Sequence, residues 1–215
     1  MSILFIIIGY LLGSIPFGYL VTLFSARKNI LEIGWRKTSG SNVFKNVGKW
    51  QGLATGLLDI GKGALAVWLA QKFGLSVPIQ ALCGVAAVTG HNWSCFLKFA
   101  GGRGIGTLIG AFLILSPTIL GFSVIFLVVL ALVWNAAIGT IVFLAAAALT
   151  AAYLGQSATV GILPLVSLLP IFIKRLSPIN ELRNKEIIKN RLIFDDDIPS
   201  SDLRIKKIIQ KLTKR

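Results

Sequence analysis

Charged side chains are scarce in this sequence, and their scarcity excludes a water-soluble globular protein. Asp, Glu, Lys and Arg make up 14% of the 215 residues, against roughly a quarter in a typical soluble domain. The hydrophobic residues, 55% of the chain, fall in long runs rather than in alternating or amphipathic patterns. The composition therefore predicts one membrane-embedded domain.

Cysteine and histidine are also nearly absent. The chain has two cysteines, Cys83 and Cys95, and a single histidine, His91. The cysteines lie inside and near the end of one apolar run, without the spacing of metal ligands. They predict no disulfide framework, and the sequence offers no candidate metal ligand set.

Acidic residues are few as well, which leaves a strongly basic protein. There are 8 Asp and Glu against 22 Lys and Arg, a formal net charge of +14. Nearly all of this charge lies between or after the apolar runs. Basic residues in those places are explained by anionic lipid headgroups and by the positive-inside rule. We therefore expect membrane lipids as partners and no nucleic acid.

Three apolar runs are long enough to cross a bilayer, which takes about 20 helical residues. They cover residues 3–24, 51–72 and 78–97. The first begins without a basic leader and is expected to be a retained helix. The loop between the first two runs, residues 26–50, carries six basic residues against one acid, Glu32. It should stay in the cytoplasm, which places the N-terminus outside.

The remaining apolar stretch, residues 105–173, must cross an even number of times. The tail that follows has twelve basic and six acidic residues, which predicts a cytoplasmic C-terminus. Four crossings of about 17 residues fit better than two long ones. We expect an all-α membrane protein of seven transmembrane helices, with five as the alternative. Breaks are expected at the following places: Ser116-Pro117, Trp134-Asn135, Gly155-Gln156 and Pro164.

The chain then divides into two parts. Residues 1–174 form the transmembrane domain, with cytoplasmic loops at 26–50 and 98–106, and residues 175–215 form a basic cytoplasmic tail. We call residues 26–50 the first loop and residues 98–106 the glycine loop.

The glycine loop lies in the stretch GHNWSCFLKFAGGRGIGT, residues 90–107. Its glycines let consecutive backbone N–H groups converge on an anion, while Lys98 and Arg103 neutralise charge and the next helix adds its dipole. This pattern predicts phosphate binding at the membrane surface. The alternative is a tightly packed helix connection whose basic residues only follow the positive-inside rule. No Gly-Lys-Ser or Gly-Lys-Thr completes a nucleotide P-loop.

A second polar cluster, TSGSNVFKNVGK at residues 38–49, belongs to the first loop. Two loops of this kind on one side of the membrane suggest one shared site, and the alternative is an exposed hydrophilic loop without a ligand. Within the second span, Asp59 and Lys62 lie three residues apart on one helical face. Ionisable residues in a span indicate function by default. We interpret this pair as a brace for the adjoining loop, with a self-neutralising structural pair as the alternative.

Three segments together resemble one family. YLLGSIPFGYLV at residues 10–21, DIGKG at 59–63 and the whole stretch at 90–107 are similar to the acyl-phosphate-dependent glycerol-3-phosphate acyltransferases. The resemblance covers about residues 9–107. It implies a bacterial, seven-helical protein of the plasma (inner) membrane without metal or other cofactor. It also implies acyl transfer from acyl phosphate to the 1-hydroxyl of sn-glycerol 3-phosphate, giving lysophosphatidate and phosphate.

The resemblance also implies roles for individual residues. His91 would support the glycine loop or act as base, Arg103 would stand where the family commonly has Lys, and Ser41 would belong to the reacting site. The remaining substrate-binding residues expected are Ser39, Asn42, Lys45, Lys49, Lys98, Gly101, Gly102, Gly104, Asn180 and Arg183.

The sequence departs from the family pattern in two motifs. Residues 34–39 are GWRKTS, where the family has Gly-Ser-Gly-Asn-x-Gly, so Ser39 or Ser41 is the substitute for the missing serine. The family's third motif, a His, an Asn and an Arg just after the last helix, lacks its histidine here. It matches best at Asn180 and Arg183, with a second placement at residues 190–192.

These departures keep two other classes of protein open. A non-catalytic lipid or anion carrier would use the same helices, although we find no inverted sequence repeat in its favour. A structural membrane subunit would need the Gly, Lys and Arg cluster only for packing and topology. A homo-oligomer stays open too.

Overall fold

The protein is an α-helical bundle. The computed structural model describes residues 1–177 together with residues 188 and 191, and within this part of the chain no β-strand occurs. The all-α prediction is therefore confirmed. The α-helices are α1 Ser2–Ser14, α2 Phe17–Ala26, α3 Gly40–Asn46, α4 Lys49–Lys72, α5 Val77–Asn92, α6 Ile105–Leu115, α7 Pro117–Val133, α8 Ala136–Tyr153 and α9 Ile162–Leu176.

Several helices have the length and composition of membrane spans. Among the described residues, three segments are long and apolar enough to cross a bilayer: Ser2–Ala26, Lys49–Lys72 and Ala136–Tyr153. Two further apolar helices, α6 and α7, are shorter. Many large hydrophobic side chains of these helices face outward, such as Leu132 and Leu149. Such surfaces are stable in lipid and not in water.

The first predicted span, residues 3–24, is present as Ser2–Ala26, but its helix is broken in the middle. Helix α1 ends at Ser14 and α2 begins at Phe17, with Pro16 between them. Proline has no backbone N–H and its ring obstructs the preceding turn, so a helix seldom continues through it. The break exposes the Ile15 carbonyl, which accepts a hydrogen bond from Lys62 Nζ at 2.8 Å.

The stretch 105–173 contains the four helices α6 to α9. Their junctions fall where the sequence predicted breaks, except at Pro164. That prediction is wrong, because Pro164 lies in the first turn of α9, where the missing N–H would have no intrahelical partner anyway. A second proline, Pro170, lies inside α9.

Two other boundaries differ from the sequence prediction. The third run was expected to be helical to residue 97, but α5 ends at Asn92 and a short 3₁₀ turn, Cys95–Leu97, follows. The first loop is not a simple loop, because it contains a 3₁₀ turn at Ile30–Glu32 and the helix α3. Ser39 caps α3, since its side chain accepts a hydrogen bond from the Asn42 backbone N–H.

Helix α5 lies in the centre of the bundle and packs against α1, α4, α6 and α9. Close approaches between helices depend on glycine. A Cβ on Gly13 would collide with the Ala87 carbonyl of α5, and one on Gly63 would collide with the Thr107 carbonyl of α6. Small residues at such crossings let membrane helices pack backbone to backbone. This packing brings the C-terminal end of α5 and the start of α6 against α4.

Candidate active site

The two polar loops meet at one aromatic side chain, Trp35. The ammonium of Lys45, from α3 in the first loop, lies 4.7 Å from the centroid of the Trp35 ring. The guanidinium carbon of Arg103, from the glycine loop, lies 5.7 Å from the same ring. The Thr38 N–H also donates to the Gly101 carbonyl at 3.5 Å. Two cations from separate loops are thus held beside one ring.

Trp35 did not stand out in the sequence, although a signal was present. It lies between Gly34 and two basic residues, in a loop that carries six Lys and Arg. An aromatic residue in such a loop can hold cations by its face. Which cations it holds depends on how α3 and the glycine loop fold. The local sequence does not contain the distance from Trp35 to Lys45 or to Arg103.

Asn42 organises the first loop from inside. Its amide nitrogen donates to the carbonyls of Ile33 and Lys37, at 3.0 and 2.9 Å. Its amide oxygen accepts a hydrogen bond from the Trp35 backbone N–H at 3.2 Å and another from the Asn46 side-chain amide at 2.8 Å. The side chain is completely buried. Asn42, expected to bind substrate, thus has its amide engaged by the loop, and it positions the Trp35 backbone.

The remaining predicted residues of the first loop are more accessible. Ser39 Oγ and Ser41 Oγ lie 3.3 Å apart. Ser41, Lys45 and Lys49 are exposed, and Lys49 is the first residue of α4. Of these side chains, Lys45 is the one in contact with Trp35.

The glycine loop lies tightly against the end of α5. A Cβ on Gly101 would collide with the carbonyls of His91 and Asn92, and one on Gly102 would collide with the His91 imidazole. The Gly102 N–H donates to the His91 carbonyl at 3.0 Å. Gly104 has a φ of +76° and precedes α6, whose start has no side-chain cap. The predicted packing role is therefore present, and the Gly102 amide is engaged within the protein.

His91 belongs to a buried polar chain that runs across three helices. Its Nδ1 lies 3.3 Å from Asp59 Oδ1, and the same carboxylate oxygen lies 3.0 Å from Lys62 Nζ. Lys62 in turn donates to Ile15 at the break between α1 and α2. The three side chains are between 3% and 5% exposed. Asp59 and Lys62 thus lie behind the glycine loop, with the geometry expected of a brace.

Other predicted site residues lie apart from Trp35 or outside the described part of the chain. Lys98 is exposed and has a positive φ of 50°. No hydrogen bond or ion pair joins it to any residue that the structure describes. Asn180 and Arg183 lie outside the described residues. Arg191, in the alternative placement of the third motif, is buried and donates to the Leu176 carbonyl at 3.1 Å.

No cluster of three or more His, Cys, Asp or Glu side chains with metal-binding proximity occurs among the described residues. The chemistry available there comes from cations, hydroxyl groups, backbone amides and one buried imidazole. Such groups bind anions, and phosphate above all. The fold and the site together define a helical integral membrane protein with a basic site between two loops at one end of the bundle.

Comparison with known proteins defines the family. The profile described as Glycerol-3-phosphate acyltransferase matches residues 3–185, and the chain belongs to this family. A glycerol-3-phosphate acyltransferase of Prochlorococcus marinus (strain MIT 9312) is 41% identical over 132 residues, 61% of this chain and 67% of the relative. One of Synechococcus sp. (strain CC9902) is 46% identical over 112 residues, 52% of this chain and 56% of the relative. The chain thus matches between about half and two thirds of these relatives' length.

The fold has a counterpart among solved structures. The glycerol 3-phosphate form of PlsY (YgiH), an integral membrane glycerol 3-phosphate acyltransferase, superposes with a TM-score of 0.74 at 26% sequence identity. The match covers 88% of this chain and 93% of that one. The lysophosphatidic acid form superposes with a TM-score of 0.71 at 24% identity, which compares the fold alone. The family resemblance and the integral membrane fold expected from the sequence are confirmed.

Proposed function

We propose that this protein transfers an acyl group from an acyl phosphate to the 1-hydroxyl of sn-glycerol 3-phosphate, in phospholipid synthesis. The observation that carries the proposal is the meeting of Lys45 and Arg103 at Trp35. Both substrates are phosphate esters or anhydrides, and the product is a lipid. A basic site at the end of an apolar bundle suits that combination. The relatives named glycerol-3-phosphate acyltransferase support the acyl transfer to glycerol 3-phosphate, as does the PlsY structure in its glycerol 3-phosphate form.

The reaction needs positioning more than chemical activation by the protein. The 1-hydroxyl oxygen forms the new ester bond to the acyl carbon, the bond from that carbon to the phosphate oxygen breaks, and inorganic phosphate leaves. A mixed anhydride already has a good leaving group, so no acyl-enzyme on Ser or Cys is required. Holding both substrates in line supplies most of the rate increase. Arg103, Lys45 and the glycine loop would stabilise the charge that develops on the phosphate.

The hydroxyl proton has two possible acceptors, His91 and a substrate phosphate. His91 is 5% exposed, its Nδ1 faces Asp59, and its other ring nitrogen lies against the Gly102 backbone. A side chain enclosed in this way supports the loop. We therefore assign the proton to a substrate phosphate oxygen, and we assign His91 the role of positioning the glycine loop. Ser39 and Ser41 would donate hydrogen bonds to the acceptor substrate at the edge of the site.

The membrane arrangement follows from the same proposal. Helices α1 with α2, α4, α5, α6, α7, α8 and α9 would make seven crossings, with the N-terminus outside and both loops in the cytoplasm. Residues 1–174 would form the acyltransferase domain and residues 175–215 a basic cytoplasmic tail, in the inner membrane of a bacterium. Glycerol 3-phosphate is a cytoplasmic metabolite in this scheme, so the loops must face that side.

The direct test supplies purified protein in detergent with labelled glycerol 3-phosphate and palmitoyl phosphate. Formation of labelled lysophosphatidate, together with one equivalent of inorganic phosphate, is the expected result. The matched control is Arg103→Ala protein from the same preparation. A cooperative thermal unfolding transition shows that the protein is folded. Absence of the lipid product from such protein would refute the enzyme proposal. Flux of substrate into sealed vesicles without product would instead identify a carrier.

A further inference from the structure

Helix α9 buries a cation that has no role in the site formed by the first loop and the glycine loop. Lys174, in the last turn of α9, is 5% exposed. Its ammonium lies 5.6 Å from the centroid of the Trp93 ring. Within the part of the chain that the structure describes, no carboxylate and no hydrogen-bond acceptor pairs with it. Lys174 was not singled out in the sequence, where it is one basic residue at the start of a basic tail.

A structural explanation of Lys174 is weak. A lysine that only follows the positive-inside rule extends its ammonium to the membrane surface, whereas Lys174 is buried in the bundle. Burying an ammonium costs more than one contact with an aromatic face returns. The neighbouring Arg175 shows the contrast, because its guanidinium donates to the Ala137 carbonyl at 3.3 Å and so ties α9 to α8. Lys174 has no comparable bond among the described residues.

Asn92 connects Lys174 to the glycine loop. The Asn92 amide nitrogen donates to the Pro170 carbonyl at 3.0 Å, one helical turn before Lys174. The Asn92 amide oxygen is buried without a hydrogen-bond partner, and it lies against Gly104, next to Arg103. Asn92 thus lies between the turn of α9 that carries Lys174 and the loop that carries Arg103.

The aromatic ring beside Lys174 is held in place as well. Trp93 follows Asn92, and its carbonyl accepts a hydrogen bond from Tyr10 OH at 2.8 Å. The next residue, Ser94, donates from its hydroxyl to the Ser14 carbonyl at 2.5 Å. The start of the segment that leads from α5 to the glycine loop is therefore attached to α1. The ammonium of Lys174 lies beside a fixed ring at the same end of the bundle as Arg103.

We propose that Lys174 is a further phosphate-binding residue of the site, contributed by α9. Among the described residues, the Lys174 ammonium beside Trp93 pairs with no carboxylate, and the buried Asn92 amide oxygen against Gly104 has no donor. These are the features of a polar site completed by a ligand. The ligand chemistry is a phosphoryl group, of either the acyl phosphate or glycerol 3-phosphate. This inference rests on the proposed function, because it places Lys174 in the same site.

The test uses Lys174→Met, which keeps the length of the side chain and removes the charge, and Lys174→Arg, which keeps a cation. Lys72→Gln is the control, since Lys72 is exposed in the last turn of α4, at the end of that helix opposite the loops. KM for each substrate and kcat are measured separately, together with the thermal unfolding temperature. We expect Lys174→Met to raise KM for one substrate by about tenfold or more, with an unchanged or higher unfolding temperature. Lys174→Arg should recover part of that loss.

The substrate whose KM rises identifies the phosphoryl group that Lys174 binds. Unchanged KM values and kcat in Lys174→Met protein would overturn the inference. A lower unfolding temperature with unchanged KM values would show that Lys174 is only structural, and would overturn it too.

A second measurement does not depend on catalysis. Inorganic phosphate should raise the unfolding temperature of the wild-type protein, because a ligand that binds only the native state stabilises it. The shift should be smaller in Lys174→Met and unchanged in Lys72→Gln. Equal shifts in all three proteins would refute the role of Lys174. If the wild type forms no lysophosphatidate but the phosphate shift depends on Lys174, the enzyme proposal fails while this inference stands.

Discussion

His91 Nδ1 lies 3.3 Å from Asp59 Oδ1, although the two residues belong to different helices. The carboxylate also contacts Lys62, so one buried acid links an imidazole and an ammonium. His91 in turn supports the backbone of Gly102. Through these contacts the position of the glycine loop depends on a charge pair in the second long helix, α4. Charged side chains in membrane spans tend to face the bundle interior and to pair with one another.

Replacement of Asp59 by Ala tests the brace. It should lower the free energy of unfolding by about 3–5 kcal/mol, because it leaves the Lys62 ammonium buried without its carboxylate. Chemical unfolding in detergent measures the effect. The double variant Asp59→Ala with Lys62→Ala should lose much less than the sum of the two single variants, since neither charge is then left alone. Additive losses would show that the pair does not interact.

The face of the Trp35 ring is predicted to be needed for catalysis. Trp35→Ala should lower kcat/KM by about tenfold or more, because Lys45 and Arg103 lose the surface that holds them together. Trp35→Phe should lose less, since a smaller aromatic face remains. Steady-state assays with both substrates measure the change. Trp50→Ala is the control, because Trp50 is 79% exposed, and an equal loss in that variant would argue against a specific role for Trp35.

Arg103→Ala should strongly reduce transfer and leave the protein inserted and folded. We expect kcat to fall by about 10²–10³, the usual effect of removing a group that stabilises developing charge. Arg103→Lys should keep part of the activity, because the charge remains while the planar geometry is lost. The control is Lys28→Ala, since Lys28 is an exposed basic residue of the first loop. Normal turnover in Arg103→Ala protein would refute the site assignment.

Gly102→Ala should impair the enzyme because the added methyl group would meet the His91 ring. The glycine loop must then move, and we expect activity to fall by about tenfold or more, as misplacement of a site by about 1 Å can do. Gly56→Ala in α4 is the matched control, since open space surrounds its Cβ position. That variant should be active and more stable by about 0.5–1 kcal/mol, the helix propensity of Ala over Gly. Full activity of Gly102→Ala would contradict the packing described here.

The two native cysteines test the membrane orientation. Cys95 is exposed next to the glycine loop, whereas Cys83 is buried in α5. A membrane-impermeant maleimide should label Cys95 in inside-out vesicles and not in intact cells whose outer membrane is permeable. Cys95→Ser should remove the label, and Cys83→Ser should not. Labelling of Cys95 from the outer side would place the loops away from cytoplasmic substrates and contradict the proposed function.

Much of the fold was predictable because it follows from local composition. The apolar runs, the helical class and most junctions in the stretch 105–173 were correctly expected. Errors arose where one residue changes the backbone within a run. Pro16 divides the first helix and Pro164 does not end one, because the effect of proline depends on whether it falls inside a helix or in its first turn. The helix α3 in the first loop was missed since seven residues carry little periodic signal.

The sequence by itself determined that this protein is embedded in lipid, that it is helical, and to which family it belongs. It also showed that two basic loops exist, one with serines and one rich in glycine, because these are properties of residues near one another in the chain. Only the tertiary structure decided that Lys45 and Arg103 share Trp35, that Asp59 meets His91, and that Lys174 is buried beside Trp93. Each of these pairs is set by how helices cross and by which glycines allow close packing. Spacing along the chain does not contain those distances.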